Sequence, residues 1–236
     1  MKVVIMAGGR GIRMENETQY IPKPMVRIGD MPIIWHIMKL FAYYGHTEFF
    51  ILTGYRGTEF SKLFSLIEPD WNVNLVDTGL DTLTGNRILQ IRDHLKEKFF
   101  LTYGDGLGDI NLLNLLENHK YYKQLVTVTA VHPPGRFGAL ELSPGGRVIR
   151  FAEKEPLATA WINGGFFVIE PKALEYIKGE VMWEHAPLEK LAEDCLLWAY
   201  KHNGFWYPMD TPRDKEYLEE MWKKEDCPWR IWNGTN

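Results

Sequence analysis

The chain has 236 residues, of which 45% are hydrophobic and 25% are charged, as is ordinary for a soluble globular protein. The formal net charge of -4 and the lack of a basic cluster exclude nucleic-acid binding, which depends on grouped Lys and Arg. No segment is apolar enough to span a membrane, and Cys195 and Cys227 show neither disulfide-framework nor zinc-site spacing, so we expect a cytoplasmic protein.

The first half of the chain predicts strands that alternate with helices. Residues 3–7 form an apolar run that ends at glycines, as expected of a buried parallel strand at the centre of a sheet. A helix is predicted at residues 33–44, opened by Pro32 and closed by Gly45. We expect further strands at 49–52, 73–76 and 99–103, and helices near 61–67, after Arg87 and near 112–119. This alternation predicts a repeatedly wound βαβ sheet.

The second half has a different texture. Residues 126–131 predict a strand, and two runs at 138–142 and 147–152 flank the turn signal Pro144-Gly145-Gly146, which predicts a β-hairpin. Strands at 166–169 and 196–200 and a helix after Pro212 complete the series. Because neither a repeat nor a linker interrupts the chain, we predict a single domain over residues 1–236.

A glycine-rich loop, Gly8-Gly9-Arg10-Gly11-Ile12-Arg13, directly follows the first strand. Because glycine has no side chain to cover its backbone N–H group, the N–H groups of this loop could bind phosphates. A dinucleotide fingerprint would need a glycine where Met14 stands, and a P-loop would need Lys followed by Ser or Thr. A tight turn explains one or two glycines, but not three with two arginines among them. The loop therefore favours phosphate binding of another type.

Three charged residues are candidates for the chemistry. Lys23 stands between two prolines that fix its backbone, although it could be a surface lysine. Asp105 follows an apolar strand at the edge where open α/β sheets bind ligands, or else belongs to an Asp-Gly turn. Asp210 could bind a metal or merely lie in the N-cap region of the last helix, with Thr211 as the cap. Mg²⁺ needs only one or two such carboxylates beside phosphate oxygens.

Two further groups of polar residues lie near strand ends. Glu153-Lys154 and Asn163-Gly164 offer an acid, a base, an amide and bare backbone, which suit sugar hydroxyls and a phosphate. A surface ion pair and a turn are the alternatives. Nothing in the sequence pairs a nucleophile with a base.

These residues together resemble the nucleotide-sugar pyrophosphorylases, nearly from end to end of the chain. The most specific stretches are Lys23-Pro24-Met25-Val26, Thr102-Tyr103-Gly104-Asp105-Gly106, Ile162-Asn163-Gly164-Gly165-Phe166 and Pro208-Met209-Asp210-Thr211. The resemblance implies a Rossmann-like α/β nucleotidyltransferase fold, with a mixed, mostly parallel central sheet flanked by helices, a small β-hairpin region and C-terminal helices. It also implies a nucleotide-binding half at about 1–125 and a sugar-phosphate-binding half at about 126–236.

Within that family, the resemblance implies transfer of CMP from CTP to α-D-glucose 1-phosphate, with Mg²⁺ as cofactor, by a homo-oligomeric enzyme. The implied catalytic residues are Arg13, Lys23 and Asp105, and the implied metal ligands are Asp105 and Asp210. The implied nucleotide-binding residues are Ala7, Gly8, Gly9, Gly11, Ile12, Arg13, Lys23, Thr84, Gly85, Arg87 and Gly104, with Arg87 helping to read the base. The implied sugar-phosphate-binding residues are Glu153, Lys154, Asn163 and Gly164.

Three departures from the family pattern leave alternatives open. Ile12 and Met14 stand where the family usually has Thr and Leu, which removes a hydroxyl from the loop. Glu155 replaces a proline and brings a negative charge near a phosphate site. The stretch 64–72 is shorter than in relatives with an insert there, which bears on oligomerisation. The alternatives are another nucleoside triphosphate or sugar 1-phosphate, or a non-catalytic nucleotide-sugar-binding protein.

Overall fold

The computed structural model describes the backbone of residues 1–135, 138–142, 148–153 and 160–233. The strands are β1 (Lys2–Met6), β2 (Arg27–Ile28), β3 (Met31–Pro32), β4 (Glu48–Thr53), β5 (Asn72–Asp77), β6 (Phe99–Tyr103), β7 (Gly106–Gly108), β8 (Val126–Val131), β9 (Gly138–Leu142), β10 (Val148–Glu153), β11 (Ile162–Ile169), β12 (Leu197–Lys201) and β13 (Trp206–Pro208). The four strands predicted in the first half are confirmed as β1, β4, β5 and β6, and the short strands β2, β3, β7 and β13 were not predicted.

The helices pack on both faces of the sheet. They are α1 (Glu15–Thr18), α2 (Ile33–Tyr43), α3 (Thr84–Gln90), α4 (Leu112–Tyr122), α5 (Ala186–Glu193) and α6 (Pro212–Trp222). Short 3-10 helices are found at Ile12–Met14, Lys23–Met25, Gly57–Ser65, Arg92–His94, Pro171–Tyr176 and Ile231–Asn233. In the described parts of the chain, no helix has both the length and the apolar character that crossing a membrane requires.

The central sheet has seven strands in the order β12-β8-β11-β6-β1-β4-β5, and β1 lies inside it as predicted. Every pairing is parallel except the two made by β11. The chain runs from β1 outward through β4 and β5 and then returns to β6 on the other side of β1. Such a reversal opens a crevice beyond the carboxyl end of the strand where it occurs. The predicted fold class, a mixed and mostly parallel sheet flanked by helices, is confirmed.

The alternation of side chains along the strands builds a core on each face of the sheet. Val3 and Ile5 pack on one face with α2, α4 and α6. Val4 and Met6 pack on the other with α3, α5 and the 3-10 helix at Pro171–Tyr176. Burial on both faces explains why β1 is a continuous apolar run, and each fully buried aliphatic side chain contributes about 1.5–3 kcal/mol.

The predicted hairpin is a separate two-stranded sheet, β9 paired antiparallel with β10, and the predicted residue Arg147 lies outside the described residues. The chain leaves the central sheet after Val131 and re-enters it at Ile162. These two residues are register partners in the antiparallel β8–β11 pair. The excursion therefore begins and ends at neighbouring points of the sheet.

Two predicted helices differ from the structure. The helix expected after Arg87 begins earlier, at Thr84, because tertiary hydrogen bonds hold its first turn. Gly85 N–H donates to Val181 O, Asn86 Nδ2 donates to Gly179 O, and Val181 N–H donates to Asn86 Oδ1. The helix expected near 61–67 is instead the 3-10 helix at Gly57–Ser65. There Ser61 and Ser65 each donate to a carbonyl three residues back, which matches 3-10 spacing.

Candidate active site

The glycine-rich loop caps the carboxyl end of β1 at the crevice. Its start is anchored to the neighbouring strand region, because Ala7 N–H donates to Leu52 O and Tyr55 N–H donates to Gly8 O. Gly11 adopts φ +62°, which favours glycine, and its carbonyl accepts from Met14 N–H at 2.9 Å. The loop thus turns into the 3-10 helix at Ile12–Met14 with its backbone facing the crevice.

A cavity of about 640 Å³ opens over this loop. It brings together most of the residues predicted for the nucleotide and the metal: Ala7, Gly8, Gly9, Gly11, Ile12, Arg13, Lys23, Thr84, Arg87, Gly104, Asp105 and Asp210. Gly85 does not line it, since its N–H donates to Val181 O behind the cavity wall. A volume of this size accommodates a small-molecule ligand.

Four charged side chains meet at one end of the cavity. Lys23 Nζ lies 2.6 Å from Asp105 Oδ2 and 2.8 Å from Asp210 Oδ1. Arg13 reaches Asp210 through Nη1 at 3.2 Å and Nη2 at 3.1 Å. Burial by itself lowers the pKa of Lys23, but the two carboxylates outweigh that effect and raise it above its usual value. Lys23 is therefore a buried, charged ammonium and not a surface lysine.

A small second sheet holds the two aspartates together. Asp105 stands between β6 and β7, and β7 pairs antiparallel with β13, which precedes Asp210. Met209 N–H also donates to Asp105 O at 2.8 Å. On the other side, Asp214 Oδ2 accepts from the backbone N–H groups of Asp210 and Thr211 in a capping box at the start of α6. Thr211 is thus the N-cap of α6, as the interpretation of Asp210 as part of the N-cap region predicted. Asp210 nevertheless lines the cavity.

Arg87 lines the cavity, but its guanidinium points into the protein. Nη1 donates to Thr53 O at 3.0 Å and to Gly79 O at 2.8 Å, and Nη2 donates to Leu80 O at 3.1 Å. Arg87 is only 5% exposed. Gly79 O and Leu80 O take their described hydrogen bonds from it, whereas Thr53 O also accepts from Thr78 N–H and Thr78 Oγ1. In this structure Arg87 connects the end of β4 with residues 79–80, behind the cavity wall. The predicted contact with a base has no independent support in this geometry.

Two of the predicted acceptor residues, Asn163 and Gly164, do not line the cavity but lie at the start of β11, close to the cavity residue Tyr103. Its hydroxyl donates to Glu184 Oε1 at 2.6 Å, and Asn163 makes a side-chain hydrogen bond to the same hydroxyl. Burial, followed by the charge of Glu184, raises the pKa of Tyr103 and keeps the hydroxyl protonated. Glu184 also accepts from Thr84 Oγ1 and so connects the two halves of the site. Gly164 O accepts from Trp206 Nε1 at 2.8 Å.

Two predicted residues are not placed by the structure. Lys154 lies outside the described residues, and Glu153 is described in its backbone alone, as the last residue of β10. Sequence reasoning in turn missed Tyr103 and Glu184 as members of the site. Tyr103 directly precedes Gly104-Asp105, so its position at the strand end was a usable signal. Glu184 follows no strand and carries no local signature.

Residues 2–209 match the family described as Nucleotidyl transferase. The chain belongs to that family. Among curated relatives of this nucleotidyl transferase, the glucose-1-phosphate cytidylyltransferase of Salmonella typhi is 42% identical, covering 98% of this chain and 100% of the relative. A protein named probable glucose-1-phosphate cytidylyltransferase from Bacillus subtilis is 40% identical over the same shares of the two chains.

Solved structures support the nucleotidyl transferase fold at lower identity. A putative glucose-1-phosphate thymidylyltransferase from Bacillus anthracis, in complex with sucrose, matches with a TM-score of 0.73 and 20% identity, covering 94% of each chain. HddC from Yersinia pseudotuberculosis matches with a TM-score of 0.74 and 21% identity, covering 94% of this chain and 99% of that one. At these identities the likeness speaks for the fold alone.

Gly165 gives a first testable prediction for this nucleotidyl transferase. It adopts φ +78°, and a Cβ there would lie 2.5 Å from Cδ2 of the Tyr103 ring. We expect Gly165→Ala to lower the free energy of unfolding by about 2–4 kcal/mol, because backbone strain and the clash add. Gly179→Ala is the matched control, since φ is +72° with no atom within 4 Å of the new Cβ.

Gly179→Ala should cost about 1 kcal/mol, the strain alone. Urea unfolding of both variants measures the difference. Equal losses would mean that the Tyr103 ring moves aside freely and does not hold β11 against β6.

Proposed function

We propose that this nucleotidyl transferase moves CMP from CTP onto α-D-glucose 1-phosphate, giving CDP-glucose and pyrophosphate. The observation that carries the proposal is the cavity over β1, where a bare-backbone loop, two cations and two carboxylates converge. The names of the curated relatives, at 42% and 40% identity along nearly the whole chain, support CTP and glucose 1-phosphate as the substrates.

The donor set at the charged end of the cavity fits a divalent cation. Oxygens of Asp105 and Asp210 already converge on one cationic atom, Lys23 Nζ. In the described part of the chain, no three His, Cys, Asp or Glu side chains form a closed metal site. Mg²⁺ suits an open pair of carboxylates because it retains waters and takes phosphate oxygens as its other ligands. We assign Asp105 and Asp210 as its ligands, and when bound it would withdraw charge from the triphosphate oxygens.

The chain's own residues then act by positioning and by electrostatics. Backbone N–H groups of the glycine loop and the exposed guanidinium of Arg13 orient the triphosphate, and Lys23 lies close enough to contact its phosphates. An oxygen of the sugar phosphate attacks the α-phosphorus, the bond from that phosphorus to the β-bridging oxygen breaks, and pyrophosphate leaves with the electron pair. This in-line transfer needs no protein nucleophile.

The acceptor is proposed to bind beside Tyr103. Asn163 and Gly164 stand at the start of β11, which enters the sheet at the edge where β1 and β6 end. Glu153 and Lys154 remain predictions for the sugar phosphate. Because Glu184 contacts both Tyr103 and Thr84, it sets the spacing between the acceptor side and the nucleotide side.

Two structural facts bear on the alternatives. Ile12 is 71% exposed and lines the cavity, so the loop would bind phosphate through its backbone N–H groups and Arg13 without the hydroxyl that the family usually has there. Both carboxylates face the cavity, which argues for an enzyme over a non-catalytic nucleotide-sugar-binding protein. Because the guanidinium of Arg87 points into the protein and not toward a base, a nucleotide other than CTP is the competing proposal. We further propose a cytoplasmic homo-oligomer.

Pyrophosphate release gives the test. The protein is incubated with Mg²⁺, each of CTP, UTP, dTTP, ATP and GTP, and glucose, mannose or galactose 1-phosphate. We expect kcat/KM to be at least about tenfold higher for CTP with glucose 1-phosphate than for any other pair, since recognition of a base by hydrogen bonds rejects analogues strongly. Equal rates with several nucleotides would contradict the choice of CTP. No release of pyrophosphate with any pair would contradict the proposed enzymatic activity.

A further inference from the structure

Lys23 occupies the point on which the proposed metal ligands converge. Its ammonium bonds Asp105 Oδ2 at 2.6 Å and Asp210 Oδ1 at 2.8 Å. The Lys23 side chain is 11% exposed and that of Asp210 is 17% exposed. A cation is therefore already held between the carboxylates inside the protein.

The geometry does not allow a second cation at that point. Mg²⁺ requires carboxylate oxygens at about 2.0–2.1 Å, so it would have to replace the ammonium and not join it. The charges lead to the same conclusion. Arg13 and Lys23 carry two positive charges, and Asp105 and Asp210 carry two negative charges, so the cluster is balanced. A free divalent cation would leave this cluster with an uncompensated double positive charge beside Lys23 and Asp210, which are largely shielded from water, whereas Arg13 at 70% and Asp105 at 33% are more exposed.

We propose that Lys23 keeps the Asp105–Asp210 pair closed to free divalent cations and gives it up only when a triphosphate arrives with the metal. Unlike the free metal, the triphosphate brings negatively charged oxygens to which the Lys23 ammonium can move. This inference rests on the metal assignment within the proposed function, but not on the choice of CTP or of the sugar.

The position of Lys23 allows the exchange. Its backbone is fixed in the 3-10 helix at Lys23–Met25, next to Pro22, while the four-carbon side chain keeps its torsional freedom. A Cβ built on Gly11 would lie 3.1 Å from Lys23 Cβ, so the base of the side chain lies directly beside the glycine loop. Rotation about the side-chain torsions can therefore move the ammonium from the carboxylates to phosphates held by that loop.

The test measures Mn²⁺ binding to the full chain by electron paramagnetic resonance, in the absence of nucleotide. We expect the wild type to bind Mn²⁺ weakly, and Lys23→Met to bind it at least about tenfold more tightly, because the competing charge is removed. Lys23→Gln serves as a second variant should the methionine not fold. Lys39→Met, which removes the lysine of the Lys39–Glu68 ion pair, is the matched control and should behave as the wild type.

The double variant Lys23→Met, Asp105→Asn identifies the site. It should lose the gain in affinity, since one of the two carboxylates is neutralised. Wild type and both Lys23 variants binding Mn²⁺ equally would overturn the closure by Lys23. A gain that survives Asp105→Asn would overturn the site assignment. Both results are independent of the substrate test, because the Mn²⁺ affinities are measured without substrate and stay the same if the proposed nucleotide or sugar is wrong.

Discussion

Asp105→Asn is expected to lower turnover at least about 10²- to 10³-fold while leaving the fold intact. The substitution keeps the shape of the side chain and removes the charge that we assign to the metal, and the loss of one stabilising group at a reacting phosphate has an effect of this order. The backbone carbonyl of Asp105 continues to accept from Met209 N–H, so the β7–β13 pair is preserved. Asp210→Asn should behave alike.

The measurement is steady-state pyrophosphate release at saturating substrates, with the fold checked by circular dichroism. Asp93→Asn is the control, because Asp93 is exposed and pairs only with the neighbouring Lys96 in the described contacts. It should leave turnover unchanged. Turnover within a factor of ten of the wild type in Asp105→Asn would remove this residue from the metal site.

Arg87→Met is expected to lower the free energy of unfolding by about 1–3 kcal/mol. The change removes the donors to Gly79 O and Leu80 O, which are partly buried, whereas Thr53 O also accepts from Thr78 N–H and Thr78 Oγ1 and stays satisfied. The strand ends after β4 and β5 would lose one of the groups that join them. Because this group also shapes the cavity wall, the KM for the nucleotide should rise as well.

Urea denaturation and nucleotide titration together separate two roles for Arg87. Arg92→Met, at an exposed position in the following turn, is the control and should change stability by less than about 0.5 kcal/mol. A large loss of stability supports the role that the hydrogen bonds indicate. Wild-type stability combined with lost nucleotide binding would instead support the base contact that the family resemblance implies.

The sequence predicted the nucleotide side of the fold well because its signals are local. A strand buried on both faces is an apolar run, and the glycines that follow β1 mark the loop at the crevice. Asp105 was a candidate for the same reason, since it follows β6 directly. These features need no knowledge of distant residues.

The assembly of the charged cluster could not be predicted from local patterns. Lys23 and Asp210 are separated by 187 positions and meet only because β13 pairs with β7. Thr211 matches a helix cap, so the local sequence already explained Asp210 as part of the N-cap region, without any reference to the cavity. Glu184 is a similar case, because its partners Tyr103 and Thr84 belong to two other elements.

Arg87 shows what a motif leaves out. The family resemblance implies that Arg87 helps to read the base, and the structure adds that five protein acceptors share its donors. Sequence patterns do not record which way a side chain points when several carbonyls compete for it. That information lies in the packing of strands β4 and β5 against α3.

The excursion between Val131 and Ile162 has a consequence for how this protein can change over evolution. Because its two ends are register partners in the sheet, the intervening segment closes on itself, and lengthening such a closed segment costs little. The residues expected to meet the sugar lie in or next to that segment, whereas the triphosphate loop and the aspartate pair do not. Insertions between those two residues are therefore expected to leave the central sheet, and with it the cluster of Lys23, Asp105 and Asp210, in place.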